Sequence, residues 1–325
     1  SPLMAFTTLP FFISIAGIIF MMKKILIFEY ITGGGLIDKK ITHSLTSEAN
    51  IIMSSLLNNP SVITHFFCDY RNKHNNHKNS ILVTPKNKNI IYDTDLINSY
   101  DYFLPICPET DLIFYNYIKK IHPTVHNMDI SSLDSLLITS DKYLLKKVCK
   151  KYNIPNPDSY ISKSEDKLYI LKDRFGCGSS HVELLNKVKK DVPRDKILEN
   201  YIPGKSYSIS LYLGKNNYKL ISINEQKIRR NNNILKLKSL NVNVYPSFKD
   251  NIFYFINNIL LALPKLKGFI GLDIIYNDGK LFLIEINARY TTSMSVIQNC
   301  KNNHILDYTK PLIVHETGMS CQINL

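Results

Sequence analysis

Apolar and polar positions alternate along this chain in blocks that change character near residue 130. KKILIFEYI, residues 23–31, is an apolar run that predicts a strand, and it runs straight into the glycines of TGGGL. A strand that ends in three glycines offers a tight turn and close backbone approach. Residues 44–57 space their apolar positions as a helix does. VITHFFCDY (62–70), SILVTP (80–85) and DYFLPIC (101–107) read as strands, and DLIFYNYIKKI (111–121) reads as a helix. This alternation predicts an open, mostly parallel α/β sheet over residues 22 to about 130.

Beyond it, TSDKYLLKKVCKKY (139–152) predicts an amphipathic helix with a Thr-Ser-Asp start, stopped by Pro155 and Pro157. KLYILKDRFGCGSSHVEL (167–184) reads as strand, glycine-bearing loop and helix. KILENYIPGKSYSISLYLG (196–214) reads as two strands about a turn at Pro203-Gly204, the second entering a hairpin around Gly214 to Asn217. NIFYFINNILLALP (251–264) predicts a helix that ends at Pro264. GFIGLDIIYNDGKLFLIEINARY (268–290) predicts a hairpin that turns at Asn277, Asp278 and Gly279. Hairpins dominate this half, as in an α+β unit.

The final hairpin carries the most specific chemistry. Glu285, Asn287 and Arg289 alternate, so a strand would point all three one way, with Ile284 and Ile286 turned into a core. A turn centred on Asp278 sets residue 273 roughly opposite 283. Asp273 would then share a face with Leu283, Glu285 and Asn287. Two carboxylates that close repel unless a cation lies between them. Asp273, Glu285 and Asn287 are oxygen donors, which suits Mg²⁺ and not a structural zinc. A guanidinium beside them suits a phosphate or a transferring phosphoryl group. An outward polar face with no ligand would show the same alternation.

Lys172 ends the strand LYILK, and Gly176, Gly178, Ser179 and Ser180 follow as a loop whose N–H groups could meet phosphates. GxxxxGK[ST] is absent, so this is not a Walker A loop. Lys142 reads either as a surface charge or as a further phosphate contact. Glu199, before the turn at Pro203-Gly204, reads either as exposed or as a contact to an adenine edge or ribose.

Composition sharpens the picture little. The chain has 325 residues, 45% hydrophobic and 21% charged, enough for two or three packed units. The 40 Lys and Arg against 27 Asp and Glu give +13, which fits a phosphate-bearing small ligand or a simple abundance of lysine. The lysines are scattered with no aromatic-basic stripe, which disfavours nucleic acid. The six cysteines show no CxxC pair and no zinc-ligand spacing with histidine, so reduced thiols and a cytoplasmic location are expected. Residues 3–22 carry no charge and approach the length of a spanning helix. Pro10, Thr7, Thr8 and Ser14 weaken that reading, and no basic segment precedes it. Residues 1–21 therefore read as an extension ahead of a start at Met21 or Met22. Membrane association follows only if residues 3–20 are an anchor.

The order of these features resembles the ATP-grasp superfamily. The resemblance covers about residues 130–300, and its most specific motif is IEINAR. It implies an α/β plus α+β fold, with an N-terminal open parallel-sheet domain over 22–130. Two ATP-grasp subdomains would follow over 131–205 and 206–325. It implies ATP held by Lys142, Lys172, Gly176, Gly178, Ser179 and Glu199. The cation, Mg²⁺ or Mn²⁺, would lie on Asp273, Glu285 and Asn287, with Arg289 and Lys172 as catalytic cations. Asp173 departs from a frequent proline, and Lys205 and Ser206 stand where many members have a ribose-binding acid, so ribose contact would come from elsewhere. IFEYITGGGL (27–36) and NEQKI (224–228) are similar to the archaeal ligases of methanofuran synthesis that join the γ-carboxylate of L-glutamate to tyramine. That similarity implies an ADP-forming carboxylate–amine ligase working through an acyl phosphate, with residues 33–35 shaping the substrate cleft. It implies small-molecule partners and a homodimer. A ligase for another pair of substrates and a non-catalytic nucleotide-binding protein are the alternatives.

Overall fold

The structure, a computed structural model, describes residues 12–15, 18–41, 43–57, 62–72, 74, 76–159, 168–176, 182–187, 191–215, 217–297 and 321–324. At the N-terminus, β1 (Phe12–Ile15) and β2 (Ile18–Met21) pair antiparallel, so the described part of the uncharged stretch is extended rather than helical. Among the described residues no helix is long and apolar enough to cross a membrane.

The first half folds as its patterning predicts. β3 (Lys24–Glu29), α1 (His43–Leu57), β4 (Ile63–Asp69), β5 (Ser80–Val83), α2 (Thr94–Asn98), β6 (Tyr102–Ile106) and α3 (Ile113–Ile121) follow in order. The four strands form a parallel sheet in the order β5-β4-β3-β6. Ile25, Leu26, Ile27 and Phe28 on β3 are fully buried, because an interior parallel strand is covered on both faces. The chain leaves β3 through the glycine turn. A Cβ on Gly33 would lie 2.6 Å from the Glu29 carbonyl oxygen, and Gly34 has φ +94°, so this turn needs glycine. Arg71 pins the loop by donating to the carbonyls of Leu36 and Lys39, both at 2.9 Å.

Two helices lead into the second half, α4 (Leu133–Ser140) and α5 (Lys142–Lys151). The helix predicted over 139–152 is α5, which starts at Lys142 rather than at Thr139. Thr139 and Ser140 end α4, and Asp141 begins α5 by accepting from the backbone N–H of Tyr143 and Leu144.

The second half is a large antiparallel sheet. Its strands are β7 (Tyr169–Asp173), β8 (Val182–Leu185), β9 (Lys196–Asn200), β10 (Lys205–Leu213), β11 (Tyr218–Asn231), β12 (Ile234–Val242), β13 (Gly268–Asn277), β14 (Lys280–Asn287) and β15 (Cys321–Asn324). α6 (Ile252–Ala262) and α7 (Thr292–Ile297) flank it. The strand order is β14-β13-β10-β11-β12-β8-β7-β9, with β15 also on β12. One expectation is overturned: the segment after the glycine loop is the strand β8, not a helix. It pairs with both β7 and β12, and two waiting strand edges outweigh the weak helical preference of four residues. A continuous core from Leu26 and Phe28 to Ile209, Ile256, Ile270 and Ile286 joins the two sheets.

The β13–β14 hairpin turns at Asp278 (φ 46°) and Gly279 (φ 79°), the two positive angles of a type I′ turn. Its register differs from the expected one. Ile274 pairs with Leu283, but Asp273 pairs with Glu285, leaving Ile284 as the extra residue of a bulge. The bulge changes which face each side chain takes. Leu281 and Leu283 lie in the core before it and Ile286 after it, while Ile284 lines the cleft instead of the core.

Candidate active site

The cleft face of the antiparallel sheet carries a row of polar side chains. Ser206, Ser208 and Ser210 alternate on β10, and Ser222, Asn224 and Gln226 on β11. Register places Ser208 beside Asn224 on one flank and Asp273 on the other, and Asp273 beside Glu285. Asn224 donates to Ser208 Oγ at 3.2 Å and Ser210 Oγ at 3.3 Å. Gln226 Nε2 donates to Asp273 Oδ1 at 3.0 Å, and Asn287 Nδ2 to Asp273 Oδ2 at 3.3 Å. Asp273, Glu285 and Asn287 are therefore brought together, although through a register other than the expected one. Burial and the neighbouring Glu285 carboxylate push Asp273 up to about 7. Half-buried Asp273 beside buried Glu285, with the Asn287 amide adjoining, forms a donor set that suits a hard divalent cation.

The facing wall comes from α5, β7 and β9. Lys142 begins α5, and its ammonium reaches the Gly176 carbonyl and lies 3.5 Å from Glu285 Oε2. Arg174 sets this arrangement. Its guanidinium forks onto Asp141 at 2.8 and 2.6 Å, and its carbonyl accepts from the Lys142 N–H at 3.2 Å. Helix start, lysine and glycine-loop entry are thus held as one unit. Gly178 and Ser179, with Ser180, lie outside the described residues.

Lys172 is only 6% exposed, and its Nζ lies 2.6 Å from Glu199 Oε1. Lys146 meets the other oxygen, Oε2, at 2.7 Å. Glu199 is thus not the exposed side chain of one alternative: it is 3% exposed, lines the cavity and turns its carboxylate onto two ammoniums. Burial works against the charge on Glu199, yet Lys172 and Lys146 together hold it below the usual carboxylate range. Burial pulls the Lys172 ammonium down. Glu199 opposes that, while Lys146 and Lys142 add to it. One acid between two lysines leaves a surplus positive charge in this wall.

Both walls line a single cavity of about 660 Å³ that includes Lys142, Lys172, Gly176, Glu199, Asp273 and Glu285. Apolar side chains such as Ile170, Ile202 and Leu237 line it as well, and so do Lys205 and Arg230. Arg289 stands where β14 meets α7. Its Nε donates to both carboxylate oxygens of Glu109 at 3.0 Å, and its Nη1 to the Tyr290 carbonyl at 3.3 Å.

Sequence reasoning missed Lys146, Gln226, the β10 serines and Glu109. Lys146 lies one helical turn from Lys142, an i, i+4 signal. Gln226 and the serines of β10 repeat every second residue, as a cleft-facing row does. Glu109 has no such signal, since its partner lies 180 residues away. Cys68, Cys107 and Cys149 are buried free thiols.

Comparison with known proteins fits this geometry. Residues 139–293 match the ATP-grasp domain family. The chain is 29% identical over 275 residues to a tyramine–L-glutamate ligase of Methanocaldococcus fervens, covering 83% of this chain and 88% of that one. It is 28% identical over 281 residues to the ligase of the same name from Methanocaldococcus jannaschii, covering 85% of each. A crystal structure of an ATP-grasp superfamily protein from Archaeoglobus fulgidus superposes with a TM-score of 0.71 at 23% identity, over 93% of this chain and 99% of that one. The parallel sheet, the curled antiparallel sheet and the matched residues 139–293 agree: residues 139–293 match the ATP-grasp domain family, and the fold resembles that of ATP-grasp proteins.

Proposed function

We propose that the protein is an ATP-dependent, ADP-forming carboxylate–amine ligase that joins the γ-carboxylate of L-glutamate to the amine of tyramine. The observation that carries this reading is one cavity lined by both lysines and acids, Lys142 and Lys172 with Asp273 and Glu285, in which Lys142 lies 3.5 Å from Glu285. Lysines draw phosphate oxygens, and paired acids need a cation. A Mg²⁺-bound polyphosphate satisfies both at once. The choice of substrates rests on the two ligases that this chain resembles over most of its length.

A carboxylate and an amine condense only after the carboxylate is activated. The γ-phosphoryl group passes to a γ-carboxylate oxygen of glutamate, ADP leaves, and an acyl phosphate remains. The amine nitrogen then attacks the acyl carbon, phosphate departs with the bonding pair, and the nitrogen loses a proton. Lys142 and Lys172 bind phosphate oxygens and offset the repulsion between nucleotide and incoming carboxylate. Arg289 steadies the transferring group and the tetrahedral intermediate. A divalent cation held by Asp273, Glu285 and Asn287 would neutralise phosphate oxygens. Ile170, Ile202 and Leu237 offer an apolar lining for the adenine base.

The test is a screen of ADP release with L-glutamate, tyramine, both together and alternative pairs. ADP that appears only when glutamate and tyramine are both present supports the assignment. Release that ignores the carboxylate, or that requires a different pair, overturns it.

A further inference from the structure

The loop after β6 reaches from the parallel sheet to Arg289 and to the entry of the glycine loop. It leaves the C-terminal end of a parallel strand, where ligand sites of such sheets lie. Three features fix its path. Phe114 N–H donates to the Pro108 carbonyl and Leu112 N–H to the Glu109 carbonyl, both at 3.1 Å, and Asp111 N–H donates to Phe175 O at 3.1 Å. Phe175 directly precedes Gly176, so this loop also touches the entry to the glycine loop. Two successive non-glycine residues, Asp111 (φ 52°) and Leu112 (φ 58°), adopt the left-handed conformation. That conformation costs energy for residues with a Cβ. The fold accepts it, and the result is a single placement for Glu109.

Glu109 is 2% exposed, and Arg289 Nε–H is shared between its two oxygens. Through this contact Arg289, just beyond β14, meets the loop that leaves β6, at the junction of the two sheets. Glu29 is already committed. It accepts from Ile31 N–H, Thr32 N–H and Thr32 Oγ1–H and so holds its own turn.

We infer that Glu109 is a positioning residue for Arg289, fixing the guanidinium in the orientation from which it serves phosphoryl transfer. It thereby makes the N-terminal sheet a structural part of the catalytic centre. The inference rests on the ligase reading above for the word catalytic, and on the hydrogen bonds alone for the contact. A fixed guanidinium presents its donors without first being ordered. A freed one would still carry its charge, but its direction would be lost.

The experiment compares ADP release with L-glutamate and tyramine in the wild type and in Glu109→Gln, Glu109→Asp, Arg289→Lys and Glu109→Gln with Arg289→Lys. We expect Glu109→Gln to lower kcat by about 30-fold with KM for ATP changed by less than about threefold, as loss of one oriented contact does. Glu109→Asp should recover part of it. On the Arg289→Lys background the same change should cost less than about threefold, because the arrangement is already lost. An unchanged kcat, or a full loss on that background, overturns the inference. If no substrate pair supports turnover, the ligase reading fails, yet the contact is still tested. The Arg289 Nε–H resonance, assigned by its disappearance in Arg289→Lys, should move in Glu109→Gln; a resonance that stays in place overturns it.

Discussion

Glu199 lies 2.6 Å from Lys172, deep in the cleft, while its second oxygen meets Lys146 at 2.7 Å. Without that carboxylate the two ammoniums would face each other in a closed site. Breaking a buried pair costs about 3–5 kcal/mol, because a charge is left unmatched. Glu199→Gln should therefore lose about 3 kcal/mol in denaturant unfolding. A loss under about 1 kcal/mol would show that water compensates the lysines.

The same pair sets an acid dependence. The folded Glu199 is held below its ordinary value, so the unfolded chain binds the proton more readily. Its contribution is complete above the unfolded value of about 4.3 and is lost as pH falls through the lower folded value. Stability should decline on the acid side of pH 4.3 more steeply in the wild type than in Glu199→Gln. Parallel profiles for the two proteins would remove Glu199 from the account.

Asp273 and Glu285 stand as cross-strand partners in the lining of the cavity. Glu285→Ala should abolish detectable ligation, a loss above about a hundredfold, or ~3 kcal/mol at the transition state. The fold should persist, since the change removes a repulsion and its side chain lies outside the apolar core. ADP release and thermal unfolding on one preparation decide it, and full turnover would refute the cation assignment.

A cation that binds only the folded state stabilises it by mass action, about 2.7 kcal/mol at a hundred times Kd. Titration of metal-free protein with Mg²⁺ at neutral pH should raise Tm by several degrees. Asp273→Asn, which keeps the shape and removes a charge, should erase most of that rise. An equal rise in both proteins would move the cation elsewhere.

Arg174 ties the start of α5 to the end of β7 through Asp141. Arg174→Met should loosen Lys142 and raise KM for ATP about tenfold, equivalent to ~1.4 kcal/mol. The change in kcat should be smaller. An unaltered KM would mean that the Gly176 carbonyl alone is enough to place Lys142.

Much of the fold could be read from period and punctuation. The run Ile25 to Phe28, the Asn277-Asp278-Gly279 turn and the stop at Pro264 each act locally, and local signals survive in one dimension. β8 could not be read, because its strand state comes from β7 and β12 rather than from its own four residues. The chemistry divides in the same way. Glu285 and Asn287 announce themselves by alternation, as do Ser206, Ser208 and Ser210 once the sheet is known. Lys146 was available from helical spacing. Glu109 was not, since only the folded chain brings it to Arg289.

The inserted Ile284 acts as a parity switch. Counting by twos along an unbroken strand would put Glu285 on the side of Leu283, in oil. One additional residue inverts the count and delivers the acid to Asp273. A homologous chain could therefore keep every letter of IEINAR, lose a single position upstream, and aim its carboxylate the wrong way. In this fold, spacing between the turn and the acid is as much a part of the motif as the acid.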